Sequence, residues 1–302
     1  MRAAVIDMGT NTFHLIIADL SATGFEVIYK TNVPVKLGEG RLNDNVIIPA
    51  AFERAINTLK DFSQTITDHQ VALVKATATS AVRNATNKQR FIEAARNQAG
   101  IEIEVISGDD EAAFIYHGVQ ATGVLSTTSL IMDIGGGSTE FIICTPEEVL
   151  WKKSYDLGAA RLLQAYFKSD PISADDQANI NNRLESELKD LKEACTQYAP
   201  DTLIGSAGAF ETFAGLLNKQ LDLQNIPYAI IDLVAYRDLA AKLLLSSHEE
   251  RANIEGLIPL RVDLIVIAAM ITNYIIYTIG IKSMYLSAYD LKMGVLHTLR
   301  ES

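Results

Sequence analysis

Two short stretches of the chain set an acid beside glycines: Asp7-Met8-Gly9-Thr10-Asn11-Thr12 and Asp133-Ile134-Gly135-Gly136-Gly137-Ser138-Thr139. In each, an apolar run ends in Asp, a turn of small residues follows, and a second apolar run begins. A carboxylate at a strand tip is a hard oxygen donor for a cation such as Mg²⁺. Gly-rich backbone beside it can turn its N–H groups inward, which suits phosphate. A lone Asp at a strand end usually does no more than shape a turn. Two in matched context, at positions 7 and 133, carry more weight. Aligning them pairs Gly9 with Gly135, Thr12 with Ser138, and Leu15-Ile16-Ile17 with Phe141-Ile142-Ile143. The pattern predicts an internally duplicated fold with two facing phosphate loops.

Other candidates are less specific by residue type alone. Glu140 stands in the second hairpin where His14 stands in the first. It could join Asp133 in holding Mg²⁺, and could equally be an exposed strand carboxylate. Ser107-Gly108-Asp109-Asp110-Glu111 packs three acids after a strand. A capping box of Ser107 with Asp110, and the preference of acids for a first helical turn, account for it. The functional alternative takes one of the three as general base for a water attacking phosphorus. Arg83 offers the permanent charge and paired donors that suit phosphate, though a single helical Arg is more often a solvated surface residue. Gly205-Ser206-Ala207-Gly208 could bind an anion at a helix start, but lacks a dinucleotide fingerprint or a P-loop lysine. The histidines at 14, 69, 117, 248 and 297 form no zinc spacing, which disfavours a zinc hydrolase.

The elements that must position these groups follow from periodicity. Strands are expected at Ala3 to Asp7, Thr12 to Asp19, Phe25 to Leu37, Val71 to Lys75 (buried) and Ile103 to Ile106. A turn is expected at Ser21 to Gly24, a helical stripe from Phe52 to Ile66, a small-residue turn at Ala76 to Ser80 with a helix through Arg83, a helix over Phe91 to Ala99, and another opening after Ser107. The second half restarts the order. Strands are expected at Leu130 to Asp133, Thr139 to Cys144 and Val149 to Leu157, then helices over Ala159 to Phe167 and Ala174 to Tyr198. Leu203-Ile204 enters the Gly205 turn, and a helix runs through Leu217. Strands at Ile226 to Ile231 and Ser283 to Ser287, helices from Leu233 and Leu264, and a final helix complete the pattern. Two βββαβα-type halves predict mixed sheets covered by helices.

The 302 residues suit two domains, and 48% hydrophobic with 21% charged residues describes a globular protein. A net charge of −11 argues against a nucleic-acid or anionic-membrane partner. An anionic substrate would need local cations or a metal ion. Cys144 and Cys195 have no metal-ligand spacing, and a reduced cytoplasmic protein without a signal peptide is expected. The uncharged run Leu264 to Ile281 is about long enough to span a bilayer, but its Thr, Asn and Tyr residues favour a buried helix.

Several segments together resemble the exopolyphosphatase / guanosine pentaphosphate phosphohydrolase family. They are Ile6 to Thr12, Ala78-Thr79-Ser80-Ala81-Val82-Arg83-Asn84-Ala85, Ile106 to Ala112, Met132 to Glu140, and Asp156-Leu157-Gly158-Ala159-Ala160-Arg161-Leu162. Their order and spacing match over most of the chain. The resemblance implies the fold of the actin, heat-shock-chaperone and sugar-kinase superfamily: an α/β protein of two actin-like (ribonuclease H-like) domains, each a mixed sheet flanked by helices, with an active-site cleft between them. Domains are expected at 1–122 and 123–287, with a C-terminal helix of about 288–302 returning to the first.

The resemblance also implies roles. Glu111 becomes the base that activates water, and Asp133 with Glu140 holds Mg²⁺. Asp7, Gly9, Thr10, Asn11 and Thr12, with Gly135, Gly136, Gly137, Ser138 and Thr139, bind the phosphate under attack, which Arg83 also contacts. The implied activity is hydrolysis of terminal phosphoanhydride bonds in inorganic polyphosphate, guanosine pentaphosphate or both, by an exopolyphosphatase that forms a homodimer. Two departures stand out: Gly205 to Ala209 in place of Gly-x-x-Gly-Thr, and Leu291-Lys292-Met293-Gly294 in place of Leu-Arg-Glu-Gly. The alternatives are a small-acceptor kinase of the same superfamily and a non-enzymatic, actin-like or chaperone-like nucleotide switch.

Overall fold

The computed structural model describes residues 1–22, 24–222 and 225–301, residue 301 without its side chain. The chain forms two compact units, Met1–Gly118 joined by the segment from Leu291 onward, and Val119–Asp290. Both are mixed sheets flanked by helices, the architecture of actin-like domains.

The first unit comprises β1 (Arg2–Met8), β2 (Phe13–Leu20), β3 (Phe25–Val33), α1 (Pro49–Asp68), β4 (Leu73–Ala78), α2 (Ser80–Arg83), α3 (Lys88–Ala99), β5 (Ile103–Val105) and most of α4 (Gly108–Ala121). Its sheet runs β3-β2-β1-β4-β5, antiparallel across β1, β2 and β3, parallel across β1, β4 and β5. Ala3 to Ile6 are all fully buried, as expected of a central strand covered on both faces. The apolar stripe of α1 is buried through Ala51, Ala55, Ile56, Leu59, Phe62 and Ile66.

The second unit holds β6 (Ser129–Ile134), β7 (Thr139–Cys144), β8 (Val149–Tyr155), α5 (Ala159–Tyr166), α6 (Ala174–Glu187), α7 (Lys189–Tyr198), β9 (Thr202–Ser206), α8 (Ala207–Leu217), β10 (Tyr228–Ile231), α9 (Leu233–Leu245), α10 (His248–Ala252), α11 (Leu264–Ile279) and β11 (Ser283–Ser287). Its sheet runs β10-β11-β9-β6-β7-β8. Helix α12 (Leu291–Glu301) belongs with the first unit and lies against β1, β2 and β3. The apolar run from Leu264 forms α11, ten of whose residues are buried. Among the described residues no helix is long and apolar enough to cross a membrane.

Five expectations need correction. The strand from Phe25 stops at Val33, where Pro34 has no N–H to continue the ladder. The strand expected at Val71 to Lys75 lies at Leu73–Ala78, and Val74 is exposed. β5 covers only Ala76 to Ala78, so the small residues assigned to a turn are the buried, doubly paired part. The long helix of 174–198 breaks at Leu188, where Asp190 accepts the N–H of Leu191 and the Tyr155 hydroxyl. Gly205 and Ser206 belong to β9, which enters α8 directly, so no open glycine loop exists there. The turn expected at Ser21 to Gly24 is closed by the Ser21 N–H on the Gly24 carbonyl; Thr23 lies outside the described residues.

The duplication extends below the level of strand order. β1, β2 and β3 correspond to β6, β7 and β8, and β4 and β5 to β9 and β11; β10 is an added antiparallel edge. The Gly9 N–H donates to the Thr12 carbonyl, and the Gly135 N–H donates to the Ser138 carbonyl. A register shift falls between Ile17 and Ala18 in one repeat and between Ile143 and Cys144 in the other, the same place under the alignment of Asp7 with Asp133.

Candidate active site

In the second unit, four polar side chains form a row across four strands. Asp133 on β6 is the cross-strand partner of Glu140 on β7 and of Ser206 on β9; Glu140 is in turn the partner of Ser154 on β8. Directly opposed residues share a sheet face. Their neighbours Met132, Ile134, Phe141 and Ile143 join the hydrophobic cluster on the other face. Glu140 is 1% exposed and Asp133 7%, so both carboxylates need partners. The Ser206 hydroxyl donates to Asp133 Oδ2 at 3.0 Å, and the Ser154 hydroxyl to Glu140 Oε1 at 2.6 Å. Glu140 is thus no exposed strand residue. Among the described residues no cluster of three or more His, Cys, Asp and Glu side chains has a metal-holding arrangement. Two carboxylates are a complete protein share for Mg²⁺, which keeps waters and substrate oxygens as its other ligands.

The loop joining β6 to β7 is held from behind by the start of α5. The backbone N–H of Ala159 donates to the Gly135 carbonyl at 2.9 Å, and those of Ala160 and Arg161 to the Gly136 carbonyl at 2.9 and 3.1 Å. Arg161 Nε donates to the Gly137 carbonyl at 3.0 Å, with the side chain only 11% exposed. The first orphan N–H groups of α5 are therefore spent on loop carbonyls. Gly158, just before α5, makes this approach possible: a Cβ there would lie 2.4 Å from the carbonyl carbons of Gly136 and Gly137. By residue type alone neither Gly158 nor Arg161 announces a role, because neither is a group placed to touch phosphate. The signal was the run of small residues before a lone arginine, Gly158-Ala159-Ala160-Arg161.

The first unit repeats this plan with other residues. Asp7 on β1 is paired with His14 on β2 and Thr77 on β4, and His14 with Asn32 on β3. His14 occupies the position of Glu140, so one carboxylate of the pair is replaced. The Thr10 and Asn11 carbonyls, equivalents of those of Gly136 and Gly137, accept the N–H groups of Gly38 and Lys36 at 3.0 and 2.8 Å. Here an irregular segment, braced by Arg54 on the Val35 carbonyl, replaces the helix start.

Asp7 sits at the carboxyl end of β1, and Arg83 and Glu111 follow the carboxyl ends of β4 and β5, the end of a parallel sheet where open α/β folds bind ligands. Arg83, closing the short α2, donates from Nη1 to Glu111 Oε2 at 2.8 Å and to the Ile106 carbonyl at 3.2 Å. Glu111 is 7% exposed, in the first turn of α4. Arg83 is thus a half-buried ion-pair partner and not a solvated surface residue. The cap and the candidate base coexist on this turn. The Ser107 hydroxyl accepts the Asp110 N–H and donates to the Asp110 carboxylate, half of the expected box, while Glu111 turns toward Arg83.

The Gly205 to Gly208 segment is closed. A Cβ on Gly205 would fall on the Phe210 ring, and one on Gly208 would meet the Arg261 guanidinium. Arg261 pairs with Glu211 at 3.7 Å, and burial lowers its pKa.

A model of the Ppx/GppA phosphatase family matches residues 16–302. The chain belongs to that family. A crystal structure of an exopolyphosphatase from Cytophaga hutchinsonii is 36% identical, superimposes with a TM-score of 0.96, and is covered over 98% of its length by all of this chain. The Ppx/GppA enzyme of Aquifex aeolicus is 26% identical at a TM-score of 0.83, with 99% of each chain covered. A guanosine-5'-triphosphate,3'-diphosphate pyrophosphatase of Vibrio cholerae is 28% identical over 300 residues, which is 98% of this chain and 59% of that protein. The chain thus spans about three fifths of that relative. Family membership makes the chain an enzyme of the hydrolase class.

Proposed function

We propose that the chain hydrolyses terminal phosphoanhydride bonds in a Mg²⁺-dependent reaction, releasing orthophosphate from inorganic polyphosphate, guanosine pentaphosphate or both. One observation carries this reading: two buried carboxylates, Asp133 and Glu140, oppose each other across the mouth of a glycine loop. Asp133 and Glu140 would hold Mg²⁺, which when bound neutralises charge on the phosphoryl oxygens. Asp7, the 9–12 loop and the 135–139 loop position the terminal phosphate. Glu111 takes a proton from water as its oxygen bonds to the terminal phosphorus, and the bond from that phosphorus to the bridging oxygen breaks. The shortened chain leaves with the electron pair on that oxygen. Arg83 aims the Glu111 carboxylate and offsets charge on the phosphoryl group. The likeness to an exopolyphosphatase over the full chain supports polyphosphate as a substrate; guanosine pentaphosphate rests on relatives of greater length. A cytoplasmic location and a homodimer belong to the same proposal.

The test offers purified protein and Mg²⁺ with polyphosphate, guanosine pentaphosphate or ATP, and follows orthophosphate. Release from either of the first two is expected, with a loss of about 10²–10⁴-fold for Glu111→Gln, the usual share of a general base. Release from ATP alone, indifferent to that substitution, would refute the proposal.

A further inference from the structure

Arg161 reaches the glycine loop from α5, whose Ala159 and Leu162 pack in the hydrophobic cluster on the sheet face opposite Asp133 and Glu140. In a trans peptide the carbonyl of one residue and the N–H of the next point in opposite directions. The carbonyls of Gly135, Gly136 and Gly137 all point at the start of α5 and at the Arg161 side chain. The N–H groups of Gly136, Gly137 and Ser138 therefore point the other way. Three successive amides turned to one side form an anion-binding concavity. The first two carbonyls are held by backbone, which any residue could supply. The third depends on one side chain, the Nε of Arg161. Among the described residues, the equivalent Thr10 and Asn11 carbonyls of the other repeat accept backbone amides and no arginine side chain.

We infer that Arg161 is a positioning residue that aims the Ser138 amide, and the loop with it, at the phosphoryl group to be cleaved. It does so without touching substrate. The inference rests on the proposed phosphate-binding role of the 135–139 loop. Its second effect is electrostatic: an Arg161 side chain 11% exposed behind the amides adds positive potential in a chain of net charge −11, with the exposed Asp156 3.5 Å away as counter-ion.

The test combines kinetics with a glycine-selective amide spectrum. Arg161→Met removes donor and charge; Arg161→Lys keeps the charge and loses the planar fork, and stands in if the first variant fails to fold. With tripolyphosphate and Mg²⁺, both are expected to raise KM about 10-fold or more, the worth of a charge-assisted hydrogen bond. Wild-type protein labelled with ¹⁵N-glycine is titrated with pyrophosphate; the Gly136 and Gly137 amides should shift, and in both variants they should shift only at about 10-fold higher ligand. A variant that lost stability alone would keep the wild-type KM and titration midpoint in its folded fraction, and that result overturns the inference. If the wild-type glycine amides ignore pyrophosphate, the phosphate-loop reading fails first, separately from the role of Arg161.

Discussion

Gly158 offers a demanding test of how the loop is held. Replacing it with Ala places a carbon 2.4 Å from two backbone carbons, Gly136 C and Gly137 C. Carbon atoms in contact prefer about 3.5–4.0 Å, so backbone must yield by about 1 Å. No flexible side chain is available to absorb the shift. The backbone at Gly158, φ −70° and ψ 154°, is open to Ala, and stiffening the unfolded chain returns about 0.4–1 kcal/mol. Against that stands an overpacking cost of about 1–3 kcal/mol. The balance predicts a net destabilisation of about 1–2 kcal/mol, a fall of a few degrees in Tm. Catalysis should suffer more, because a shift of about 1 Å in a positioning group costs roughly 10²-fold. Urea unfolding and orthophosphate release from tripolyphosphate measure the two effects on one preparation. Gly24→Ala, where an added Cβ meets nothing within 4 Å, serves as control and should be neutral. A Gly158→Ala protein that keeps wild-type kcat/KM and stability would refute the claim that α5 is packed against the loop at its closest approach.

Three further outcomes are expected. Ser154→Ala and Ser206→Ala each remove a hydroxyl that orients a carboxylate, and should weaken Mn²⁺ binding, read by electron paramagnetic resonance, by about 10-fold or more. Burial pushes the Cys144 and Cys195 thiols up to about 12, so neither should react with a disulfide reagent at pH 8 until the protein is unfolded. Hydrogen bonds from the Ser169 hydroxyl and from the Lys168 and Ser169 N–H groups hold the Asp176 pKa below the usual carboxylate value. A depressed folded pKa adds stability above the unfolded value of about 3.9 that is lost as pH falls through the folded one. Asp176→Asn should therefore lower stability at pH 7, and its difference from wild type should vanish on acid titration.

The strand-and-turn skeleton was legible because it is written locally. Thr139–Cys144 and Ser283–Ser287 fall at the expected bounds, and the repeat read from Asp7 and Asp133 reaches down to a shared register shift. Legibility fails where an element is shaped by a partner far along the chain. The break at Leu188 depends on Asp190 meeting Tyr155, and the burial of Ala76 to Ala78 depends on β5. The same division runs through the candidate site. Carboxylates and glycines announce themselves by type, whereas Arg161 looks like any helical arginine until its carbonyl partner 24 positions earlier is known.

The return of α12 to the first unit bears on how the protein is made. The second unit is continuous in sequence, from Val119 to Asp290, and can close as soon as it leaves the ribosome. The first unit has its sheet complete by β5, yet one flank stays bare until α12 is synthesised. That flank is closely fitted: a Cβ on Gly294 would come within 1.8 Å of the Phe114 carbonyl oxygen. In the interval the nascent chain leaves apolar strand surface uncovered, so the unit that comes later in sequence can complete its core before the earlier one.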